Sequence, residues 1–145
     1  MYKHILIATD GSESSAKALT AGLDLARQLN CKATVVTVTE PWTAGGYEVI
    51  PTPSLIEAYD RTTAKDAKAI LADATKAAEK AAVLCETLHV KDQYAAEGII
   101  EIARGIGCDL IVVGSHGRRG LARLLLGSNS LKVITLSPVS VLVCR

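Results

Sequence analysis

Short apolar runs alternate along this chain with segments of helical periodicity, and no other feature limits the fold as strongly. Strands that are buried on both faces read as nearly continuous apolar runs, and such strands belong to parallel sheets with helices on both sides. Turn-forming or polar residues bound each run. The clear runs are HILIAT at residues 4–9, ATVVTVT at 33–39, DLIVV at 109–113 and VSVLVC at 139–144.

Two long segments between these runs predict the first helices. The first has apolar residues at helical spacing, with Ser12 or Ser14 as the N-cap and Asn30 at its end. The second begins at the capping box SLIE, residues 54–57. Its apolar stripe continues to Leu88, which predicts one long helix: Ile70, Leu71, Ala74, Ala77, Ala78, Ala81, Leu84, Cys85 and Leu88.

The remaining elements complete an alternating order. A weak third strand is predicted at residues 93–97, and a third helix around residues 99–106 ends at Gly107. Residues 128–137 predict a fourth helix, which Pro138 ends. We therefore expect an α/β fold, with one doubly wound sheet of five parallel strands and four helices in three layers, forming one domain over residues 1–145.

Composition excludes several classes of function. Lys and Arg number 16 against 15 Asp and Glu, and this net charge of +1 lacks the basic excess of a nucleic-acid-binding protein. The apolar run at the amino terminus is too short for a secretory signal, and no run approaches the roughly 18 apolar residues that span a membrane. We expect a cytoplasmic protein that binds neither nucleic acid nor membrane.

The four cysteines are scattered and form no CxxC pair. This spacing argues against a zinc site, a redox pair or a compact disulfide framework. Free cysteine behaves as a small buried apolar residue. We expect all four, Cys31, Cys85, Cys108 and Cys144, to be buried in this way. Cys108 could instead be a reactive thiol, but the buried role is favoured.

The stretch GSHGRRGLARLLLGSNS, residues 114–130, is the strongest candidate site. Its spacing is G-x-x-G-x9-G-S, with Gly114 turning off the strand, Gly117 allowing close ligand approach, and Gly127 exposing the amides of the fourth helix. Ser128 and Ser130 add hydroxyl donors, and the helix dipole favours an anion. Positive charge comes from Arg118, Arg119 and Arg123. We expect a phosphate here, although the glycines could serve turns alone and Ser128 could be only an N-cap.

A second set of polar residues follows the first strand. In a doubly wound sheet the ligand crevice lies at the carboxyl ends of the strands, where neighbouring connections leave to opposite faces. If the strand order is 3-2-1-4-5, Thr9 and Asp10 meet the glycine stretch at that crevice. Asp10 could cap the first helix or accept hydrogen bonds from a ribose. His116 has no evident catalytic partner, so we interpret it as a loop histidine rather than a base.

Several enzyme classes lack their motifs here. The sequence has no GxxxxGK[ST], GxGxxG, HExxH or GxSxG. The SGGxDS and HIGH-type motifs of ATP pyrophosphatases and nucleotidyltransferases are absent as well. The sequence therefore predicts a nucleotide site without machinery for fast phosphoryl transfer, and we assign no catalytic residue and no protein-held metal.

Three segments, HILIATDGSESSAKAL, DLIVVGSHGRRGLARLLLGSNS and SPVSVLV, together resemble the universal stress protein family over nearly the whole chain. The resemblance implies strand order 3-2-1-4-5, a homodimer formed through the last strand, and a cytoplasmic role in surviving stress. It also implies an ATP or AMP ligand, with magnesium accompanying ATP, and at most slow hydrolysis or self-phosphorylation on Ser or Thr. The alternative is a nucleotide-free dimeric scaffold or chaperone-like interaction protein.

The same resemblance implies roles for individual residues. Asp10 corresponds to a carboxylate near the ribose and adenine, and Val38 to the position whose backbone meets the adenine. Gly114, Gly117, Gly127 and Ser128 correspond to the phosphate cradle. The expected neighbours of the ligand are Thr9, Val113, Arg118, Asn129 and Ser130.

Overall fold

The computed structural model describes residues 1–42, 50–116 and 126–145. Strands and helices alternate throughout these ranges. In chain order they are β1 His4–Ala8, α1 Glu13–Leu29, β2 Lys32–Thr39, α2 Pro53–Ala81, β3 Cys85–Lys91, α3 Ala95–Ile106, β4 Leu110–Gly114, α4 Ser128–Leu136 and β5 Ser140–Cys144.

The strands form one parallel sheet in the order β3-β2-β1-β4-β5. The central strand β1 pairs through Ile7 with Val35 of β2 and with Val112 of β4. This arrangement confirms the α/β class, the doubly wound sheet and the order expected from the sequence.

Helices cover both faces of the sheet. Ile5 and Ile7 face a core shared with α1 and α2, whereas Leu6 faces a core shared with α3 and α4. Each of these side chains is completely buried, and such burial stabilises the fold by roughly 1.5–3 kcal/mol per side chain. The near-continuous apolar runs therefore reflect strands that are buried on both sides.

The third strand and the end of the second helix were predicted wrongly. Helix α2 ends at Ala81, and Ala82 follows as its C-cap with a φ of 56°. Leu88, which the stripe assigned to the helix, lies in β3, and Leu84 is 77% exposed between the two elements. An edge strand is only partly covered by other elements, so its apolar pattern is weak. Its apolar residues were therefore assigned to the stripe of the preceding helix. The predicted strand at residues 93–97 instead contains the start of α3.

Local capping signals were predicted with mixed success. Ser12 is the N-cap of α1, where its side chain accepts a hydrogen bond from Ser15 N, and Asn30 is the C-cap in the left-handed conformation. Both were expected. The N-cap of α2 is Thr52, followed by Pro53 at the first helical position, rather than the predicted Ser54.

The prediction for the cysteines was correct for Cys108 alone. Cys108 is buried, and burial raises the pKa of its thiol to about 11, so the reactive thiolate is suppressed. The other three, Cys31, Cys85 and Cys144, are partly exposed because they lie at strand ends and at the sheet edge. Burial raises the pKa of each of these thiols as well.

Among residues 1–42, 50–116 and 126–145, none of the helices combines the length and the apolar character needed to cross a bilayer.

Candidate functional site

A crevice opens at the carboxyl ends of β1 and β4. Helix α1 leaves β1 toward one face of the sheet, and α4 follows β4 on the opposite face. Two connections that part in this way leave a gap at the strand ends, which is where doubly wound folds bind ligands. The candidate site lies in this gap, as expected from the strand order.

The deep part of the crevice, here called the inner cavity, has a volume of about 90 Å³. Its lining combines apolar side chains of the sheet, α3 and α4 with polar residues of the turn after β1 and of α4. The lining residues that matter most are Thr9, Asp10, Val36, Val38, Ile99, Val113, Gly114, His116, Asn129 and Ser130. Most of the residues predicted for the site therefore converge here.

The turn after β1 is held by hydroxyl groups. Thr9 Oγ1 lies 3.1 Å from Ser15 Oγ, and Asp10 N donates to Ser15 Oγ at 3.3 Å. The carboxylate of Asp10 accepts from Ser12 N at 2.9 Å, one residue before α1 begins. Since Ser12 itself caps the helix, Asp10 orients the turn and lines the cavity instead of acting as the cap.

Gly114 is required by packing rather than by an unusual backbone angle. A Cβ at this position would lie 2.5 Å from Ser14 Oγ and 2.8 Å from the Ser14 carbonyl carbon. The first turn of α1 thus presses directly against the end of β4. The sequence analysis attributed this glycine to a sharp turn, whereas the structure explains it by the close approach of Ser14.

Gly127, and not Ser128, is the N-cap of α4. Its N–H donates to the Ser115 carbonyl at 2.7 Å, and a Cβ here would lie 3.1 Å from His116 Cα. The alternative that Ser128 serves only as a cap is therefore wrong. Close contact with the 115–116 turn fixes where α4 begins.

The first turn of α4 faces the crevice. Ser128, Asn129 and Ser130 line the space in front of it, and N–H groups in the first turn of a helix have no partner within the helix. Such a helix start favours an anion. Ser130 donates its hydroxyl proton to the Gly114 carbonyl at 2.7 Å. The hydroxyl therefore links α4 to β4 and is not the free donor that the sequence predicted.

His116 lies at the inner cavity. Its Nδ1 is 3.0 Å from Ser115 Oγ, and its backbone N–H donates to Ser14 Oγ at 3.4 Å. Ser115 is buried. The imidazole is thus held in place by its neighbour, a contact that the sequence did not predict.

Gly117 and Arg118, together with Arg119 and Arg123, lie outside the residues that the structure describes. Their predicted roles at the phosphate cradle remain predictions.

A wider outer cleft of about 500 Å³ continues from the inner cavity across the carboxyl edge of β2 to α2. The two spaces share Asp10, Val38, Ala95, Asn129 and Ser130. Together they match the roughly 300–1,000 Å³ of small-molecule sites. Residues of the outer cleft that the sequence analysis missed are Thr37, Thr39, Glu40, Tyr59, Thr63, Asp66 and Tyr94.

A histidine lies behind the outer cleft. His89 Nε2 is 2.7 Å from Thr39 Oγ1, across the pairing of β2 with β3. Burial, followed by the charge of Lys91, lowers the pKa of His89. The neutral imidazole is therefore favoured beside the cleft.

Among the described residues, no group of three or more His, Cys, Asp or Glu side chains could hold a metal ion.

Comparisons with known proteins agree on one family. A model described as "Universal stress protein family" matches residues 1–145. Universal stress protein YxiE of Bacillus subtilis (strain 168) is 35% identical over 155 residues, which cover 100% of both chains. Universal stress protein UspA from Lactobacillus plantarum has a similar fold, with a TM-score of 0.81, 24% identity, and coverage of 99% of this chain and 98% of that one.

One solved relative carries a nucleotide. It is a universal stress protein in complex with cAMP, with a TM-score of 0.74 and 27% identity, covering 99% of this chain and 97% of that chain.

Proposed function

The chain belongs to the universal stress protein family, and on that premise we propose that residues 1–145 form one domain that binds ATP, ADP or AMP. The observation that carries the proposal is the meeting of an apolar cavity with the start of α4 at the point where β1 and β4 diverge. One end of such a site suits a base, and the other suits phosphate.

The adenine occupies the inner cavity. Val36, Ile99 and Val113 give it apolar walls, and Val38 stands at the end of β2, where its backbone can meet the polar edge of the base. The cAMP complex of a 27% identical relative supports an adenine nucleotide.

The ribose lies at the turn after β1. Asp10 lines both the inner cavity and the outer cleft, so its carboxylate is placed between base and phosphate. A carboxylate accepts hydrogen bonds from sugar hydroxyls, as acidic residues do in other doubly wound nucleotide sites. Thr9 and Ser15 hold this turn in position.

The phosphates face the first turn of α4. Ser128 and Asn129 bring backbone N–H groups to the crevice, and Gly114 keeps the opposite wall narrow. Gly117 and Arg118 complete the cradle in this proposal. Magnesium that accompanies ATP is held by the phosphate oxygens, since Mg²⁺ is usually bound by substrate phosphates and few protein groups.

The nucleotide acts as a regulator in this proposal. Among the described residues we assign no catalytic group, so turnover is limited to slow hydrolysis or self-phosphorylation. A bound nucleotide can shift the protein between two states only by its difference in affinity for them. The protein is thereby a stress-response or signalling module of the cytoplasm.

The module is a homodimer formed through β5. This strand pairs with β4 on one side and is the last strand of the described sheet, so its other edge presents backbone hydrogen-bonding groups. Leu142 on β5 is 39% exposed, and the neighbouring α4 exposes Leu131 and Ile134. Light scattering tests this point: we expect a dimer for the native chain and a monomer for Leu142→Arg.

The experiment for nucleotide binding begins with protein purified without added nucleotide. The protein is heat-denatured, and ion-exchange chromatography of the supernatant is compared with that of Gly127→Val and Asp10→Asn. Asparagine retains the Oδ1 acceptor for Ser12 N, so Asp10→Asn tests the charge without removing the turn. We expect adenine nucleotide from the native chain and little from either variant.

Calorimetry and thermal melting with ATP and magnesium complete the test. Ligand at about 100 times its Kd stabilises the fold by about 2.7 kcal/mol, so the Tm rises. A clean supernatant, no heat of binding and no rise in Tm would refute the nucleotide proposal. The dimeric scaffold that binds no nucleotide would then be the better function.

A further inference from the structure

The outer cleft extends beyond the part that a mononucleotide needs. The proposed base, ribose and phosphate positions use the inner cavity and the first turn of α4. The cleft continues to a wall on α2, which we call the α2 wall and which consists of Tyr59, Thr63, Asp66, Ala67 and Ile70. This wall lies on the opposite face of the sheet from the inner cavity, because α2 packs in the core with α1.

Thr37 offers a hydroxyl group to a polar ligand in the outer cleft. This residue lines the cleft and is only 4% exposed, yet its hydroxyl has no hydrogen-bond partner within residues 1–42, 50–116 and 126–145. Its oxygen is not among the fully enclosed polar atoms, so the small exposed part opens to the cleft. A hydroxyl with residual exposure can bond to water, and a ligand oxygen that takes the place of this water keeps the hydrogen bond.

The charges of the described residues disfavour a phosphate beside the α2 wall. Asp66 places a carboxylate there, Glu40 adds a second one that accepts a hydrogen bond from Ala95 N at 3.4 Å, and the lining residues that the structure describes include no Lys, Arg or His. A terminal phosphate would meet like charge in this region. Hydroxyl groups of a sugar can instead donate to the carboxylates and to the threonine oxygens.

An aromatic ring at the rim completes the environment. Tyr94 lines the cleft just before α3 and remains 51% exposed. An exposed tyrosine face beside a hydroxyl-lined cleft suits the flat ring of a nucleobase, and each stacked base contributes substantially to binding.

We propose that the outer cleft binds the second nucleoside of a dinucleoside polyphosphate. This inference rests on the proposed function: the first nucleoside lies in the inner cavity, and the bridging phosphates lie at the start of α4. The second sugar meets Thr37, Thr63 and Asp66, and the second base stacks on Tyr94. The carboxyl ends of β4 and β2 are two strand spacings apart, roughly 10 Å, a gap that a phosphate bridge crosses.

The test compares two ligands with the same number of phosphates. Diadenosine tetraphosphate carries the second nucleoside, and adenosine 5′-tetraphosphate lacks it. Calorimetry gives the two affinities in the native chain. We expect diadenosine tetraphosphate to bind at least about tenfold more tightly, a difference of about 1.4 kcal/mol.

Trp42 supplies an independent optical signal. It is the only tryptophan, and its ring contacts Tyr59 of the α2 wall edge-on, with 5.4 Å between the ring centroids. Filling the space beside Tyr59 changes the surroundings of this pair. We expect diadenosine tetraphosphate to shift the Trp42 emission and adenosine 5′-tetraphosphate to leave it nearly unchanged.

Three variants assign the preference to the cleft. Thr37→Val removes the hydroxyl at nearly constant volume, Tyr94→Ala removes an exposed ring, and Asp66→Asn removes a charge. We expect each to reduce the affinity for diadenosine tetraphosphate while leaving that for adenosine 5′-tetraphosphate unchanged. Asp73→Asn, on the same helix but outside the cleft, is the matched control and should alter neither affinity.

The outcomes separate this inference from the function on which it rests. Equal affinities for the two ligands would overturn the second nucleoside but leave mononucleotide binding intact. A preference that survives Thr37→Val, Tyr94→Ala and Asp66→Asn would also overturn it, because the second nucleoside would then lie elsewhere. If the native chain binds ATP but neither tetraphosphate, this inference fails alone; if it binds none of the three compounds, the proposed function fails as well.

Discussion

Replacing Gly114 by alanine probes the tightest contact of the candidate site. The added Cβ would lie 2.5 Å from Ser14 Oγ, 2.8 Å from the Ser14 carbonyl carbon and 2.9 Å from its oxygen. Two of these neighbours are backbone atoms of α1, which cannot rotate away. The first turn of α1 must therefore move away from the end of β4, or the turn after β4 must shift.

The magnitude follows from two opposing effects. Overpacking a close contact usually costs about 1–3 kcal/mol, and a rigid backbone neighbour places Gly114→Ala in the upper half of that range. Reduced freedom of the unfolded chain offsets about 0.5–1 kcal/mol. We expect a net loss of about 1–2 kcal/mol in the free energy of unfolding, or a Tm lower by roughly 3–8 °C.

Gly105→Ala is the matched control. Gly105 lies in α3 and has open space around its added Cβ, with no atom within 4 Å. The same substitution should therefore stabilise the fold by about 0.5–1 kcal/mol through helix propensity. Gly22→Ala should fall between the two, because its Cβ would approach Ile7 Cδ1 at 2.6 Å and Cγ1 at 2.7 Å, which are side-chain rather than backbone atoms.

Urea denaturation followed by circular dichroism measures all three variants against the native chain. The expected order of stability is Gly105→Ala, Gly22→Ala and then Gly114→Ala. A Gly114→Ala chain as stable as Gly105→Ala would refute the conclusion that close approach of α1 requires this glycine. The turn after β4 would then be the better explanation for this glycine.

Three further predictions concern polar contacts. Burial and the charge of Lys32 lower the pKa of His4 below 6.5, so the fold favours the neutral ring. The contribution of His4 to stability should be complete above about pH 6.5 and fall as the pH drops through the folded pKa. His4→Gln should therefore flatten the dependence of the urea midpoint on pH. Ser130→Ala removes the hydrogen bond to the Gly114 carbonyl at the end of β4 and should lower the free energy of unfolding by about 1 kcal/mol, with Ser128→Ala as a control that changes it little. Desolvation raises the pKa of Asp109, but hydrogen bonds from the N–H groups of Lys3 and His4 outweigh this effect and hold the pKa below 3.8. The stability of the native chain should therefore fall in acid below about pH 4. Asp109→Asn should weaken this pH dependence in the same urea titration.

The elements buried on both faces were predictable because their signals are local and strong. β1 and β4 are short apolar runs bounded by polar residues, and Ser12 and Asn30 mark the ends of α1 within one turn. β3 was not found in its true place, because an edge strand covered on part of its surface has a mixed pattern. Its first residue, Cys85, continued the stripe of α2 without interruption.

The candidate site divides in the same way. Gly114 and Gly127 were singled out by their spacing in the sequence. The structure shows why a side chain does not fit at either position: Gly114 contacts Ser14, and Gly127 contacts the 115–116 turn. The spacing does not reveal these contacts. The sequence analysis predicted that the Ser130 hydroxyl donates to a ligand, whereas in the structure it donates to the Gly114 carbonyl. A sequence shows that a donor is present but not which acceptor will be nearest.

The sequence by itself determined the alternation of strands and helices and the parallel sheet, because periodicity, caps and strand ends depend on residues close together in the chain. That Asp10 and Gly114 line one cavity followed only once the strand order placed β1 beside β4. Only the tertiary structure decided the outer cleft. Thr37, Asp66 and Tyr94 come from β2, α2 and the turn before α3, and they share a cleft because helices pack on both faces of one sheet. Such proximity depends on the packing of distant segments, which has no periodic signal along the chain.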